Sequence, residues 1–457
     1  MQLPNDFVTK YTKLLGDTEV KEFLASYDKP AHSGFRLNPL KADPKNVTLP
    51  LDQPINYSPY GYVGKVDGNA IDHVSGYVYS QEPSAQLVGA VANAQPGQTV
   101  LDLCAAPGGK STYLAGAMGN KGVLVSNEIN LGRARILGSN IERWGARNVI
   151  VTNHDPASLA KVMPEAFDMI LVDAPCSGEG MFRKDPDAMS YWSLDYPASC
   201  ATRQREILTE AIKMLKPGGT LVYSTCTFAP EEDEQMMAWL LDNSDLSIAP
   251  IAHLPGMSSA RPEWADGRPE LSGAVRLWPH KQLGEGHFVC RLTRPGVANE
   301  PAPRKKNKKS RGKQAAGDSA VSRDEHDLWA DWEQATLTVQ LTGTLTKQGE
   351  QLYLLPEGAP SISKLRVVRP GLHLGTLKKK RFEPSHSLAT ALAPDQFKLA
   401  VAVDDDEYLH YRHGETLSRH DLQGKSTVLL TNAGKGFAIG RLVNGTIKNM
   451  YPKGLRV

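Results

Sequence analysis

The sequence has few cysteines, no long apolar run and almost no net charge. Its 457 residues include five cysteines, and none of them forms a C-x-x-C pair. This pattern argues against a disulfide framework and against a metal site of that type, and free thiols indicate a reducing, cytoplasmic setting. No stretch approaches the roughly 18 apolar residues of a membrane span. The N-terminal residues also lack the apolar core of a signal peptide, so we expect a cytoplasmic protein.

The net charge of +2 does not by itself indicate a polyanionic partner, but the basic residues are unevenly placed. Residues 296–325 carry eight Lys/Arg against four Asp/Glu, residues 361–381 carry seven and no acid, and residues 434–457 carry five and no acid. Such patches are typical of proteins that bind a phosphate backbone. They are about equally typical of solvated linkers and sheet edges, so a nucleic acid is a candidate partner that charge alone does not establish.

Strand and helix patterns alternate between about residues 71 and 295. Helices are predicted from a cap at Asn130 to a stop at Gly145, and over residues 202–215. Buried strands are predicted at residues 99–103, 122–128, 148–152, 167–172 and 220–224. This alternation predicts an α/β fold with a mainly parallel, doubly wound sheet, in which ligands bind beyond the carboxyl ends of the strands.

Changes in composition divide the chain into five segments. We expect an accessory domain at residues 1–70, a catalytic domain at 71–295, a flexible basic linker at 296–325, a small α+β domain at 326–385, and a β-rich module at 386–457. Residues 336–341 alternate in hydropathy like a strand. No internal repeat is visible.

The first predicted strand leads into a turn of small residues at 104–110. Such a turn lets a ligand approach the backbone N–H groups of a helix N-terminus, and its pattern is not the dinucleotide fingerprint G-x-G-x-x-G. Glu128, after the second strand, can accept hydrogen bonds from two ribose hydroxyls, and Asp155, after the third, can accept one from an adenine amine. These acids suit an adenosine that carries a cationic sulfonium. The alternative is a tight turn with helix-capping acids.

Two cysteines follow the ends of two further strands, Cys176 in the run Asp173-Ala174-Pro175-Cys176 and Cys226 in the run Ser224-Thr225-Cys226. A thiolate that adds to carbon 6 of a pyrimidine makes carbon 5 able to take a methyl group. Asp173 can hold or protonate N3 of the ring if burial raises its pKa. A single cysteine is more often buried and inert, and this is the interpretation of the three others, Cys104, Cys200 and Cys290.

These motifs resemble those of the Nop2/Sun RNA cytosine-5 methyltransferases, and in particular their bacterial RsmF branch, which modifies small-subunit ribosomal RNA. The resemblance covers nearly the whole chain. It is carried by residues 81–86, 104–110, 127–130, 173–178, 223–227 and 448–456.

The resemblance implies a class I S-adenosylmethionine-dependent methyltransferase core with a small N-terminal domain and a PUA-like RNA-binding module at the C-terminus. It implies that Cys226 is the nucleophile, that Cys176 assists product release, that Asp173 contacts N3 and that Lys110 lies between donor and catalytic loop. The residues implied for cofactor binding are Cys104, Ala105, Ala106, Pro107, Gly108, Gly109, Lys110, Glu128, Arg133, Asp155 and Asp173.

The implied reaction is methylation of carbon 5 of cytidine in 16S ribosomal RNA by a monomer. A transfer RNA is the alternative substrate, and a non-catalytic ribosome-assembly factor is the alternative class. Phe382, Phe437 and Tyr451 lie among the basic residues and are either base-stacking residues or members of a small core.

Overall fold

The computed structural model describes residues 2–281, 283–297 and 320–457. Most of the predicted linker at 296–325 lies outside the described residues, and its described end enters a helix at Arg323. No helix within the described ranges combines the length and the hydropathy that crossing a membrane requires.

The N-terminal part combines a long helix with a small antiparallel sheet. Its elements are α1 (Asn5–Ser26), β1 (Gly34–Leu37), β2 (Gly61–Val63), α2 (Ile71–Val74) and β3 (Val78–Ser80). Strand β1 lies between β2 and β3. Helix α1 is interrupted at Gly16, where φ is 73°, a backbone conformation that glycine adopts without strain. The aromatic residues of α1 pack against Phe182, Trp192 and Phe228 of the central part.

The central part alternates strands and helices, as the sequence predicts. Its helices are α3 (Pro83–Ala92), α4 (Gly109–Met118), α5 (Leu131–Trp144), α6 (Pro156–Val162), α7 (Ala188–Tyr191), α8 (Tyr196–Met214) and α9 (Glu234–Asp242). Its strands are β4 (Thr99–Asp102), β5 (Val123–Asn127), β6 (Val149–Thr152), β7 (Phe167–Asp173), β8 (Leu215–Thr225), β9 (Ser247–Ile248), β10 (Ser258–Ser259), β11 (Val275–Leu277) and β12 (His287–Thr293). The five predicted strands correspond to β4 through β8.

Parallel strands in the order β8-β7-β4-β5-β6 form the middle of a ten-stranded sheet. Antiparallel β12, β11 and β10 extend it beyond β8, and β9 also pairs with β12. Successive residues of β4 face opposite cores: Val100 packs with residues of α3, α4 and α5, and Leu101 packs with residues of α6, α8 and α9. The doubly wound α/β class is therefore confirmed, with antiparallel edges that the sequence did not predict.

Local signals fix the ends of α5. The Asn130 side chain accepts a hydrogen bond from the Arg133 N–H at 3.1 Å, and Gly145 ends the helix with φ of 77°. Leu137 and Ile141 are fully buried on its inner face. The predicted helix is thus confirmed, and it holds Arg133 next to the carboxyl end of β5.

The C-terminal part begins with α10 (Arg323–Thr336) and contains two further sheets. Antiparallel β13 (Thr344–Gln348), β14 (Gln351–Leu355), β16 (Leu372–Lys378) and β17 (Arg381–Pro384) form the first, and β15 (Val367–Pro370) instead pairs with β6 of the central sheet. After α11 (Ser387–Ala391), the second sheet has the order β18-β20-β21-β22-β19. Its elements are β18 (Ala400–Ala402), α12 (Asp405–His413), β19 (Leu417–Ser418), β20 (Lys425–Asn432), β21 (Lys435–Val443) and β22 (Thr446–Asn449).

The predicted strand at residues 336–341 is wrong. Ser322 and Glu325 form a capping box that begins α10, and this helix continues to Thr336. Leu337 then makes only an isolated bridge to Phe397. The alternation of apolar and polar residues here belongs to a connecting segment that is buried on one side only, and this segment is not a strand of a sheet.

Candidate active site

The predicted site residues meet at one edge of the central sheet. The chain passes from β4 to β5 on one side, and it later returns to β7 on the other side of β4. A crevice opens at such a reversal, beyond the carboxyl ends of the strands. The turn at residues 104–110 follows β4, Asp173 ends β7, and the two cysteine loops follow β7 and β8.

The turn between β4 and α4 has the geometry of a cradle at a helix N-terminus. Gly108 has φ of 119°, and a Cβ added there would lie 3.1 Å from Cδ1 of Leu137. A larger residue would therefore be both strained and crowded. The N–H of Thr112 bonds the Gly108 carbonyl at 2.9 Å, so the N–H groups before Thr112 lie at the open end of the helix.

Asp102, the last residue of β4, is buried beneath this turn. Its Oδ2 accepts a hydrogen bond from Ser111 Oγ at 2.6 Å, and its Oδ1 has no hydrogen-bond partner among residues 2–281, 283–297 and 320–457. Burial raises the pKa of Asp102 to about 7, although the Ser111 hydroxyl opposes the shift. A buried acceptor without a donor fits a positively charged or amine-bearing ligand on the turn.

Glu128 and Arg133 connect the end of β5 to the same turn. Glu128 Oε1 accepts from the Asn130 N–H at 2.9 Å, and its Oε2 lies 3.3 Å from Arg133 Nη1. The other guanidinium nitrogen of Arg133 donates to the Ala106 carbonyl at 2.9 Å. The side chain of Arg133 is 56% exposed and that of Glu128 is 3% exposed, and the Glu128 carboxylate has acceptor sites beyond these two contacts. The Glu128 carboxylate thus offers the kind of acceptor that a pair of ribose hydroxyls requires.

Asp155 lies further along the same edge, after β6. Its carboxylate caps α6 by accepting from the Ser158 N–H at 2.9 Å, and hydrogen bonds with Ser158 hold the pKa of Asp155 below its ordinary value. The residue is exposed. It is therefore an ionised acceptor within the crevice, although it also has the capping role that the alternative interpretation assigned to it.

Lys110 and Asp173 form a direct ion pair at the centre of the crevice. Lys110 Nζ lies 2.6 Å from Asp173 Oδ2, with side chains 18% and 23% exposed, and Ser224 Oγ donates to Asp173 Oδ1 at 2.7 Å. Burial would raise the pKa of Asp173, but the attraction of Lys110 outweighs it and the pKa is lowered. Asp173 could protonate N3 only if burial raised its pKa. Because its pKa is lowered, the carboxyl group stays ionised and cannot be the proton donor.

The pKa of Lys110 is also shifted against the effect of burial. Burial favours its neutral amine, but the charge of Asp173, the hydrogen bond to it and the nearby sulfur of Cys226 together raise the pKa of Lys110. Lys110 is thus a cation with donor hydrogens next to the cysteine loops. It is the one member of this ion pair that can give up a proton.

The two cysteines predicted to act together are in contact. Cys176 Sγ and Cys226 Sγ lie 3.3 Å apart, and both thiols are free. The hydrogen bond with Cys226 and burial raise the pKa of Cys176 well above its ordinary value. Cys176 therefore keeps its proton at neutral pH and can donate it towards the Cys226 sulfur. Among the other cysteines, Cys200 and Cys290 are buried as predicted, whereas Cys104 is partly exposed in the turn at residues 104–110.

A buried polar network that the sequence did not reveal holds the cysteine loops. Glu232 accepts hydrogen bonds from Ser177 and, at 2.7 Å, from Gln204 Nε2. Glu179 accepts from Trp192 Nε1 at 3.0 Å, from Thr227 Oγ1 at 2.9 Å, from the Phe228 N–H at 3.1 Å and from Tyr11 of α1. Each acid follows one of the cysteines by a few residues, and this spacing is the only signal that would have suggested them.

The aromatic residues of the basic segments are core residues. Phe382, Phe437 and Tyr451 are all buried, so the suggestion that they stack on bases is wrong. Part of the basic charge is also structural: Lys435 lies 3.0 Å from Asp72, with both side chains buried. Charge counts along the sequence therefore overstate the surface available to a phosphate backbone.

Family models match four consecutive stretches of the chain. The model described as 16S rRNA methyltransferase RsmB/F matches residues 90–293. The N-terminal domain of 16S rRNA methyltransferase RsmF matches residues 3–83, the first C-terminal domain of the RsmF rRNA methyltransferase matches 331–392, and the RsmF PUA domain matches 398–457.

Two known proteins are similar to this chain along nearly its full length. The ribosomal RNA small subunit methyltransferase F of Vibrio cholerae is 31% identical over 477 residues, which cover 100% of this chain and 98% of that protein. The protein of the same name from Shigella boydii is 31% identical over 485 residues, or 99% and 96% of the two chains.

Solved structures resemble about two thirds of the chain. A methyltransferase homologue from Pyrococcus horikoshii is 29% identical with a TM-score of 0.56, covering 63% of this chain and 94% of that one. NSun6 from the same organism with SFG shares the fold, with a TM-score of 0.54 at 21% identity over 64% and 99% of the chains. The full-length relatives, in agreement with the four family models, show that the chain belongs to the ribosomal RNA small subunit methyltransferase F family.

Proposed function

We propose that this chain methylates carbon 5 of a cytidine in 16S ribosomal RNA, with S-adenosylmethionine as the donor and Cys226 as a covalent nucleophile. The observation that carries the proposal is the 3.3 Å contact between Cys176 and Cys226 beside the pair formed by Lys110 and Asp173. The names of the full-length relatives support ribosomal RNA as the substrate.

Cys226 would carry the covalent step. Its sulfur bonds to carbon 6 of the ring, and the electron pair of the double bond between carbons 5 and 6 makes carbon 5 nucleophilic. S-adenosylmethionine, when bound, supplies an electrophilic methyl group to that carbon. A base, such as a water molecule, then takes the carbon-5 proton, the electron pair of that C–H bond restores the double bond between carbons 5 and 6, and the bond from carbon 6 to sulfur breaks with its electrons left on the Cys226 sulfur.

Lys110 would act as the proton donor to the ring. Negative charge develops towards N3 when sulfur adds to carbon 6, and the Lys110 ammonium can give a proton there and take it back when sulfur leaves. The raised pKa of Lys110 keeps it charged until that moment. Asp173, whose pKa is lowered, holds Lys110 in place, and it can accept a hydrogen bond from N3 only after Lys110 has protonated that nitrogen.

Cys176 would assist release. Its thiol keeps its proton because the hydrogen bond with Cys226 and burial raise the pKa of Cys176. An S–H group that points at the Cys226 sulfur stabilises that sulfur as it leaves carbon 6 with the bonding electrons. Without this donor, the sulfur is a poorer leaving group and the covalent adduct lasts longer.

The remaining parts would bind cofactor and RNA. The turn at residues 104–110 would hold the cationic end of the cofactor, Glu128 and Arg133 its ribose, and Asp155 its adenine. The C-terminal sheet from β18 to β22 would be the PUA-like module that contacts RNA, and its affinity would fall as salt rises.

The test measures transfer of a labelled methyl group to unmodified 16S ribosomal RNA and, separately, to transfer RNA. Bisulfite sequencing of the product locates the modified cytidine. Transfer to ribosomal RNA that disappears in Cys226→Ala supports the proposal. Full turnover by that variant would refute the nucleophile, preference for transfer RNA would refute the substrate, and RNA binding without transfer would favour an assembly factor.

A further inference from the structure

His287, the first residue of β12, is buried at the active site with one ring nitrogen unused. It is 3% exposed, and its Nε2 has no hydrogen-bond partner in the part of the chain that the structure describes. Strand β12 runs antiparallel to β8, with Phe288 opposite Thr225. His287 therefore lies at the end of β12 that meets the carboxyl end of β8, where the loop that carries Cys226 begins.

The contacts of Nδ1 determine where the ring proton lies. Nδ1 of His287 is 3.1 Å from Ser84 Oγ, which donates its own proton to Glu82 and accepts the Gly286 N–H at 3.1 Å. A hydroxyl has one proton and two acceptor sites, so Ser84 has only an acceptor site left for His287. Nδ1 therefore carries the proton, and Nε2 carries the lone pair.

This lone pair is available at physiological pH. Burial and then the positive charge of Lys110 are the main causes that lower the pKa of His287 to about 4. Glu82 and Asp173 act in the opposite direction and are outweighed. The imidazole is therefore neutral, and it presents a fixed acceptor beside the pair of Lys110 and Asp173.

We propose that Nε2 of His287 accepts a hydrogen bond from the amine on carbon 4 of the target cytosine and thereby selects cytosine against uracil. This inference rests on the function proposed above. Cytosine has a donor at carbon 4, whereas uracil has a carbonyl oxygen, which would face the lone pair of Nε2 and leave two buried acceptors unpaired. Asp173 and His287 would thus contact neighbouring atoms, N3 and the amine, of the same ring.

The test removes the amine and the imidazole separately. Two RNAs are compared, one with cytidine at the modified position and one with an analogue that has hydrogen in place of the amine on carbon 4. Each RNA is given to the wild type, to His287→Asn and to His287→Gln. The ratio of kcat/KM for the two RNAs is compared between proteins, which cancels the intrinsic reactivity of each ring. We expect the wild-type preference for the amine to fall by about tenfold to a hundredfold in His287→Asn and to persist in His287→Gln, consistent with loss of one buried hydrogen bond.

The two variants separate recognition from a structural role. The asparagine amide reproduces the reach of Nδ1 to Ser84, whereas the glutamine amide reproduces the reach of Nε2 to the base. If His287 has only a structural role, the preference for the amine should stay normal in His287→Asn and be impaired in His287→Gln. That result overturns the inference. Thermal unfolding checks that each variant folds. If one does not fold, His287→Phe replaces it, because phenylalanine keeps a planar ring but has no hydrogen-bond acceptor.

Failure of this inference can be told apart from failure of the proposed function. If the wild type transfers methyl groups to cytidine and the ratio is the same in every variant, His287 does not recognise the amine. If the wild type transfers none to either RNA, the proposed reaction itself is wrong. A third RNA carries uridine at the modified position. Faster methyl transfer to this RNA by His287→Asn than by the wild type adds independent support.

Discussion

Cys176 Sγ and Cys226 Sγ lie 3.3 Å apart, although the two residues are 50 positions apart in the sequence. Parallel strands bring them together, because Asp173 at the end of β7 pairs with Ser224 near the end of β8. The pKa of Cys176 is raised by its hydrogen bond with Cys226 and by burial, so its thiol keeps its proton and can donate to the Cys226 sulfur when that sulfur is a thiolate. The two thiols are therefore not equivalent, and their replacement should have different results.

Cys226→Ala should abolish methyl transfer, and Cys176→Ala should instead accumulate protein bonded to RNA. The first variant lacks the sulfur that bonds to carbon 6, and the second lacks the proton that helps this sulfur to leave. Denaturing gel electrophoresis with labelled RNA measures the adduct. Cys290→Ala, a buried thiol on β12, is the control, and an adduct in Cys226→Ala or none in Cys176→Ala would contradict the assignment.

Lys110→Gln should lower kcat by about 10²–10⁴-fold, the usual contribution of a positioned proton donor. The amide keeps a donor near Asp173 but cannot give a proton to the ring. Single-turnover methyl transfer with saturating RNA measures the effect. Lys161→Gln, on the exposed side of α6, is the matched control and should not change kcat. Equal rates in the two variants would exclude Lys110 as the donor.

Asp173→Asn should shift the alkaline limb of the rate profile to lower pH. Lys110 acts in its charged form, so the rate falls as pH rises through the pKa of Lys110. The charge of Asp173 and the hydrogen bond to it raise that pKa against the opposing effect of burial, and the variant loses the charge while its amide oxygen can still accept a hydrogen bond. Measured kcat/KM against pH tests this, and an unshifted alkaline limb would mean that Asp173 does not control Lys110.

Asp102 should make the cofactor-free protein less stable as pH rises from about 4 to about 7. Burial raises the pKa of Asp102 from 3.8 to about 7, so the folded protein favours the protonated carboxyl. Its stabilising contribution is complete below the unfolded value and is lost as pH approaches the folded value, with an upper limit of about 4 kcal/mol.

Melting temperatures of the wild type and Asp102→Asn between pH 4 and 8 measure this contribution. The asparagine does not titrate, so the difference between the two curves should change across this window and level off above it. Ser111→Ala, which removes the hydroxyl that opposes the shift, should retain the slope. A constant difference between wild type and Asp102→Asn would show that the carboxyl titrates normally.

Glu179→Ala should destabilise the protein by about 3–5 kcal/mol, because it leaves several buried donors without an acceptor. Tyr11→Phe removes only one of these donors and should cost about 1–3 kcal/mol. Urea unfolding compares the two variants. A loss in Glu179→Ala no greater than in Tyr11→Phe would mean that the network does not hold α1 against the cysteine loops.

The sequence predicted the class of fold and the residues at the strand ends because those signals are local. Apolar runs locate β4 to β8, and Asn130 and Gly145 fix α5 through caps that depend only on neighbouring residues. Parallel strands carry residues at their ends to one edge, so motif order was enough to place the turn at 104–110 near the cysteine loops.

The parts that failed depend on contacts between distant residues. The pKa of Asp173 is decided by Lys110 across the crevice, and burial of Phe382 and Tyr451 is decided by how the C-terminal elements pack. His287 had no motif of its own. Its importance arises from an antiparallel strand beside β8, and the sequence pattern did not predict where that strand pairs.

Strand β15 belongs to the C-terminal part of the chain, but it pairs with β6 at the edge of the central sheet. Proteins cut before residue 367 would leave the backbone groups of β6 open to pairing with other chains. Shortened forms made to study the catalytic part alone should therefore aggregate. Because the same polypeptide continues directly from β15 into β16, the orientation of the first C-terminal sheet is tied to the sheet that carries the catalytic residues.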